Sequence, residues 1–237
     1  MIKKCFGQRD KFFMKTIIYG NGAIARLVFS FIKGTRDVGG FLVDDSCIPP
    51  GVSKLCGLQL IPLSMAEQTF APDTYEVIVA VGFLSMNSLR EQKSKQLQSM
   101  GYQIGSYIHE SVLIHDDVTI DQGSIILDHV SIHPGSHIGK GTFVSSNVNI
   151  GHDCKVGKYG WINSGVSVAG GCDIGEQCFF GVNASTANDI SLGKKNFVGA
   201  GTFVGKNTDD DAVFISEQGQ QFPMSSQAFL RFSGLEG

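Results

Sequence analysis

A six-residue beat runs through the second half of this chain. Counting in sixes from Ile108 lands on Ile114, Ile120, Ile126, Ile132, Ile138, Val144, Ile150, Val156, Ile162, Val168, Ile174, Phe180, Thr186, Leu192, Val198 and Val204. Every position in that series except Thr186 carries a large apolar side chain. Neither the 3.6-residue period of an α-helix nor the two-residue period of a strand sustains such a pattern. Small side chains recur four places after the apolar position, at Ser124, Ser136, Thr142, Cys154, Gly160, Cys172, Cys178 and Ala184. Glycine recurs one place after it, at Gly139, Gly151, Gly157, Gly175, Gly181, Gly193, Gly199 and Gly205. A fixed repeat of this kind is the signature of a parallel β-helix. Each repeat supplies one short strand and one turn, with the Ile or Val pointing inward, the small residue in the corner and glycine permitting the tight turn. Coils then stack at about 4.8 Å, each burying its neighbour's hydrophobic edge. A β-sandwich would have to reproduce the same spacing by accident over the whole series.

The first half has a different rhythm. Thr16 to Gly20 reads as a short buried strand, followed by Gly20-Asn21-Gly22-Ala23-Ile24-Ala25 and an apolar helical stretch through Ile32. Gly40 to Asp45 and Tyr75 to Val81 read as further strands, and Met86 to Met100 as an exposed amphipathic helix. This β-α-β order predicts a small parallel sheet with covering helices over residues 14–105, a β-helix over 106–206 and a tail over 207–237. Residues 1–13 precede Met14 and the first strand, and read as an extension outside the fold.

Composition narrows the partners. Nineteen basic against 22 acidic side chains give a net charge of −3, without the concentrated basic surface that nucleic acid or an anionic membrane demands. No apolar stretch approaches the roughly 18 residues of a membrane span, and no apolar core of a signal peptide is present. The cysteines at 5, 47, 56, 154, 172 and 178 contain no CxxC pair and read as reduced thiols that pack as small hydrophobes. The expected location is cytoplasmic.

All six histidines fall between His109 and His152. His109, His115 and His133 follow inward positions, so His115 and His133 should stack on one face as a solvated or interface ladder. His129 and His137 are turn residues to which the repeat brings no acidic neighbour. His152, between Gly151 and Asp153, and His115, followed by Asp116 and Asp117, are the two that local chemistry favours as a base. In the first half, Gly20, Asn21 and Gly22 would let backbone approach a diphosphate at a helix N-terminus. With Asp44 and Asp45 closing the second strand, the motif equally fits a dinucleotide site.

The segments IIYGNGAIA at 17–25, FLVDD at 41–45, VAVG at 79–82 and NIGHDCKVG at 149–157 resemble the nucleotide-sugar acyltransferases of the left-handed β-helix class, similar to the bacillosamine-pathway N-acetyltransferase and the sialic acid O-acetyltransferases. The resemblance spans Met14 to about Ile215; its hexapeptide half is specific for fold, and GHDC after the first domain is specific for the subgroup. It implies three repeats per triangular coil, a homotrimer with active sites between adjacent prisms, and transfer of an acyl group, most simply acetyl, from acetyl-CoA without a metal. The acceptor it implies is the amine of a dTDP- or UDP-linked amino-deoxy sugar destined for a surface glycan. It makes His152 the general base and Asp153 its polarising partner. Gly170, Val182 and Ala200 then contact acyl-CoA, while Gly20, Asn21, Gly22, Asp44, Asp45 and Gly82 bind the nucleotide sugar. Trp161 stands where the family often has a second histidine, and its ring would stack on the acyl group, restrict its size, or lie buried at a subunit interface. O-acetylation of a sugar uses the same base. An NAD(P)-dependent oxidoreductase would leave the β-helix idle, and a γ-type carbonic anhydrase needs a histidine spacing that His133 and His137 do not match. Phe222, Phe229 and Phe232 of the tail suggest that it packs back on something.

Overall fold

The structure, a computed structural model, describes residues 14–234; the extension read at 1–13 lies outside the described residues. The first half is built from β1 (Lys15–Tyr19), α1 (Ala23–Ile32), β2 (Val38–Val43), β3 (Lys54–Leu55), β4 (Leu58–Pro62), α2 (Ala66–Thr69), β5 (Tyr75–Val79), α3 (Ser88–Ser99) and β6 (Gln103–Ile104). They form one sheet in the order β3-β4-β2-β1-β5-β6, parallel throughout except for the β3–β4 hairpin. Ile17, Ile18, Phe41, Leu42, Val77 and Ile78 are all fully buried. Strands covered on both faces read as unbroken apolar runs, which is why the sequence betrayed β1, β2 and β5. The β3–β4 hairpin escaped that reading because its turn, Cys56-Gly57, breaks a short and mixed segment.

The second half is a left-handed parallel β-helix whose two-residue strands stack into three faces of seven, six and five strands. The first face begins at Tyr107–Ile108, the second at Leu113–Ile114 and the third at Thr119–Ile120. Each coil sits in register on the next, as in Ile126↔Val144, Ile132↔Ile150 and Ile138↔Val156. The inward residues form one continuous core in which Ile126, Ile132, Ile138, Val144 and Ile150 are wholly buried. The helix runs past Val204: Val213–Phe214 pairs with Phe197–Val198, so the first part of the segment read as tail completes a last coil.

Two local expectations need correction. The glycines that follow the inward position are not there for a tight turn. The left-handed residue lies two places later, as at Asp153 (φ 56°) and Gly171 (φ 73°). A Cβ on Gly151 would instead stand 2.5 Å from the Gly170 backbone nitrogen of the next coil, so glycine is required for coils to approach. The corner residues are also more than small. Ser136 Oγ donates to Gly151 O at 2.7 Å, Thr142 Oγ1 to Gly157 O at 3.1 Å, and the Cys154 and Cys172 thiols to Ala169 O and Ala187 O, each at 3.1 Å. A corner that carries serine, threonine or cysteine therefore ties its coil to the one above through a hydroxyl or thiol.

The helix α3 is not an exposed amphipathic helix. Arg90, Ser94 and Leu97 are buried, and the N-terminal end of α3 docks on the β-helix. Arg90 Nη2 donates to Gly160 O at 2.9 Å and its guanidinium lies 5.1 Å from the Trp161 ring centroid. Asn87 Nδ2 donates to Gln177 O, and Gln177 Nε2 to Glu91 Oε2 at 2.6 Å. The outward residues of the first face complete the seam: Tyr107, Ile125, Phe143, Trp161 and Phe179 share one core cluster with Ile18, Val28, Ile32, Phe41 and Ile78 of the sheet domain. Phe143 stacks on Trp161 at 4.1 Å and Phe179 on Phe197 at 4.6 Å between centroids. Beyond the last coil, α4 (Ser226–Phe232) is capped by the Ser225 hydroxyl. Phe222 and Phe229 meet edge to face, while Phe232 stays 78% exposed.

Candidate active site

The turn Gly151-His152-Asp153-Cys154 joins the second face to the third, at the edge of the prism opposite the face that the sheet domain covers. Both His152 and Asp153 are exposed there. Asp153 adopts the left-handed conformation (φ 56°), a region that Asp tolerates better than most residues. The carboxylate meets the imidazole there: His152 Nδ1 and Asp153 Oδ2 are 2.8 Å apart, with the two side chains 66% and 72% exposed. A carboxylate only accepts, so this bond places the ring proton on Nδ1 and leaves the Nε2 lone pair free. The ring lies over Gly170 of the next coil, where any Cβ would collide with Nε2. Below, the corner is anchored by Cys154, whose amide donates to Ser136 Oγ at 3.0 Å and whose thiol is pushed up to about 11 by burial. Above, Gly171 N donates to His152 O at 2.8 Å.

Among the described residues the other histidines are placed as follows. His115 and His133 do stack, with centroids 5.9 Å apart. Asp117 turns from His115 and accepts the Gly135 amide at 2.9 Å. His137 does have an acidic partner, against expectation: Nε2 lies 3.1 Å from Asp121 Oδ2 of the preceding coil, a pairing across coils that neighbour-by-neighbour reading overlooks. Of the residues expected to contact acyl-CoA, Gly170 shares the His152 edge. Val182 and Ala200 share the opposite edge of the second face, joined by a Gly201 N to Val182 O bond of 2.8 Å. Within one chain the two edges are a full face apart. Trp161 belongs to neither. It is 3% exposed under the chain's own sheet domain, packed by Phe143, Phe83 and Arg90, with its Nε1 donating to Asn163 Oδ1 at 3.0 Å. Burial there lowers the Arg90 guanidinium to about 9.

The nucleotide-type residues converge at the carboxyl ends of β1, β2 and β5, at the switch point where strand order reverses. Gly20 (φ 133°) must be glycine, because a Cβ would stand 2.7 Å from Ala80 O. Gly22 precedes α1 in extended conformation with no side-chain cap, leaving the first amides of a ten-residue helix open. Asn21 Nδ2 donates to Cys47 O at 2.7 Å, and Arg26 Nη1 to Asn21 O at 3.2 Å. Gly82 lies across from Ile24. Asp45 is taken up locally by Ser64, whose side-chain hydroxyl and, next, whose backbone amide at 3.0 Å hold its carboxyl below the usual range. Asp44 faces Lys93 of α3 at 2.7 Å and also accepts a bond from the Tyr19 hydroxyl, a phenol pushed up by its burial first and by that bond to Asp44 second. Sequence reasoning missed Lys93 and Tyr19; only the apolar Leu97 marks the buried side of α3. Among the described residues no cluster of three His, Cys, Asp or Glu side chains is placed to hold a metal, and no helix is long and apolar enough to cross a membrane.

No family model and no curated protein sequence matches the chain. Solved structures do. Perosamine N-acetyltransferase from Caulobacter crescentus, a histidine-to-asparagine variant in complex with CoA and GDP-perosamine, superposes with a TM-score of 0.75 at 23% identity, covering 84% of this chain and 92% of that one. The acetyltransferase domain of PglB from Neisseria gonorrhoeae, in complex with acetyl coenzyme A, gives 0.74 at 22% identity over 84% and 94%. WeeI from Acinetobacter baumannii gives 0.72 at 20% identity over 84% and 95%. In both parts, sheet domain and β-helix, this chain has the fold of those proteins.

Proposed function

We propose that the protein is an acetyl-CoA-dependent N-acetyltransferase acting on a nucleotide-linked amino-deoxy sugar. The observation that carries this reading is the His152–Asp153 pair at an exposed edge of the β-helix, with Nε2 free over Gly170. The perosamine enzyme and the PglB domain, which share the fold, hold CoA with GDP-perosamine and acetyl coenzyme A respectively.

In this reading the sugar amine attacks the thioester carbonyl directly and His152 Nε2 takes the proton the nitrogen sheds. Collapse of the tetrahedral intermediate expels the CoA thiolate, which recovers that proton from the imidazolium. Asp153 holds the ring and stabilises its charged form. The nucleotide lies at the β1–β5 switch point, its diphosphate at the open N-terminus of α1 and its base near Asp44; Asp44 suits the N3–H of uracil or thymine. The sheet domain covers the face opposite His152, so a sugar held there meets the His152 of another copy. The same second copy sets its Val182–Ala200 edge against the His152–Gly170 edge, closing the acyl-CoA groove. The resemblance to the nucleotide-sugar acyltransferases implies that this assembly is a homotrimer with sites between subunits.

The test is thiol release from acetyl-CoA with UDP-, dTDP- and GDP-linked amino sugars. One of them should turn over, and His152→Asn should lower kcat by about 10²- to 10⁴-fold with unchanged melting and retained CoA binding. Turnover that survives in the variant removes His152 from the mechanism; turnover with a sugar alcohol alone makes the enzyme an O-acetyltransferase.

A further inference from the structure

The single polar break in the inward series falls one coil above the corner that covers His152. Thr186 is 6% exposed, so its side chain lies in the core although it is not apolar. Around it the ladder of the second face is regular: His133 N donates to Ile150 O, Gly151 N to Val168 O and Ala187 N to Val204 O, at 2.8–3.0 Å. At Thr186 the pattern changes. Ala169 N donates to the Thr186 hydroxyl at 3.0 Å in place of the backbone carbonyl, and Ser167↔Ser185 is the only pair left between those two strands. The hydroxyl also meets Cys172 Sγ at 3.4 Å, and that thiol donates to Ala187 O at 3.1 Å. One arrangement satisfies every group: Ala169 N–H to Thr186 Oγ1, Thr186 O–H to Cys172 Sγ, Cys172 S–H to Ala187 O.

We propose that Thr186 is a positioning residue for the acyl-transfer corner. This rests on the reading of His152 as the general base. The diverted amide belongs to Ala169, which opens the turn Ala169-Gly170-Gly171. Gly170 of that turn lies against the imidazole, and Gly171 donates to the His152 carbonyl. The hydroxyl thus sets, through one backbone bond, the height of the surface against which His152 rests. An apolar residue at 186 would return Ala169 N–H to the carbonyl ladder and lower that turn onto the ring. The sequence departs from its own repeat where the repeat would place the histidine wrongly.

The experiment compares Thr186→Val and Thr186→Ser in the full chain. Valine restores the apolar series, so Thr186→Val should melt no lower than the parent by more than a few degrees. Its kcat should fall about ten- to hundredfold, the scale of a small misplacement near reacting groups, with KM for the amino sugar unchanged. Thr186→Ser keeps the acceptor and should restore kcat to within about threefold. Crystal structures should show Ala169 N on the residue-186 carbonyl in the valine variant and on the side-chain oxygen in the serine variant. A valine variant with parental kcat overturns the proposal, as does a loss that follows melting temperature and is not restored by serine. If the parent protein acetylates no sugar at all, the acetyltransferase reading fails by itself. The crystallographic comparison then decides, and an unmoved Ala169 amide in Thr186→Val overturns the positioning role.

Discussion

The two halves of this protein build their sites by opposite routes. In the sheet domain, Gly20, Asp44, Gly82 and Lys93 come from distant segments and meet because strands end at a common edge. In the β-helix every coil offers the same scaffold, so the chemistry proposed for it falls where a coil departs from the pattern: His152 and Asp153 on an outward turn, Gly170 beneath the ring, Thr186 in the core. A repeat supplies stability and leaves function to its exceptions, whereas an α/β edge supplies function by convergence.

The sharpest way to break this contrast uses glycine. Gly151→Ala forces a Cβ to within 2.5 Å of backbone in the next coil, while Gly22 has nothing within 4 Å of the same atom. Urea unfolding should show Gly151→Ala destabilised by at least about 3 kcal/mol, the upper range of overpacking, and Gly22→Ala by only about 1 kcal/mol, the difference between glycine and alanine at an N-cap. Equal effects would erase the distinction between a coil-stacking glycine and a loop glycine. A middle-sized effect concerns Asp44 and Lys93. Asp44→Asn or Lys93→Met should weaken nucleotide-sugar binding by about 1–2 kcal/mol, typical of losing one polar recognition contact, and leave acetyl-CoA binding unchanged by calorimetry. A change in acetyl-CoA affinity instead would mean that the sheet domain shapes both sites.

The smallest expected effect separates surface from core. Cys154 and Cys178 are both raised to about 11 by burial, so at pH 8 only about one thiol in a thousand is ionised. Iodoacetamide followed by peptide mapping should label the exposed Cys47 and Cys56 within minutes and leave Cys154, Cys172 and Cys178 unmodified until the protein is unfolded. Early labelling of Cys154 would mean that the His152 corner opens in solution.

The same contrast explains what could be read in advance. The β-helix and its inward residues were legible because each position recurs in equivalent surroundings, so one misread residue is corrected by its neighbours in register, whereas the choice of His152 over His115 came from the family resemblance alone. The role of α3 was not. Its buried residues include Arg90 and Ser94, and they are held by Gly160 O and by a bond within the helix, partners that no hydropathy pattern announces. Lys93 meets Asp44 across 49 residues of chain, and nothing local to either residue foretells the other. The placement of Trp161 failed for a related reason. A position in the repeat fixes which way a side chain points, but not which domain comes to cover it. Thr186 was visible as a break in the count, yet its meaning appears only in the diverted amide of Ala169.

Trp161 is the chain's single tryptophan, and it lies in the seam where α3 and the aromatic column meet. Excited at the red edge of the absorption band, beyond tyrosine, the whole molecule therefore emits from one joint. Separation of the two halves would expose the indole to water and shift that emission to the red, while unfolding of the distal coils alone would leave it in place. The protein carries its own optical gauge of domain docking, readable without a label.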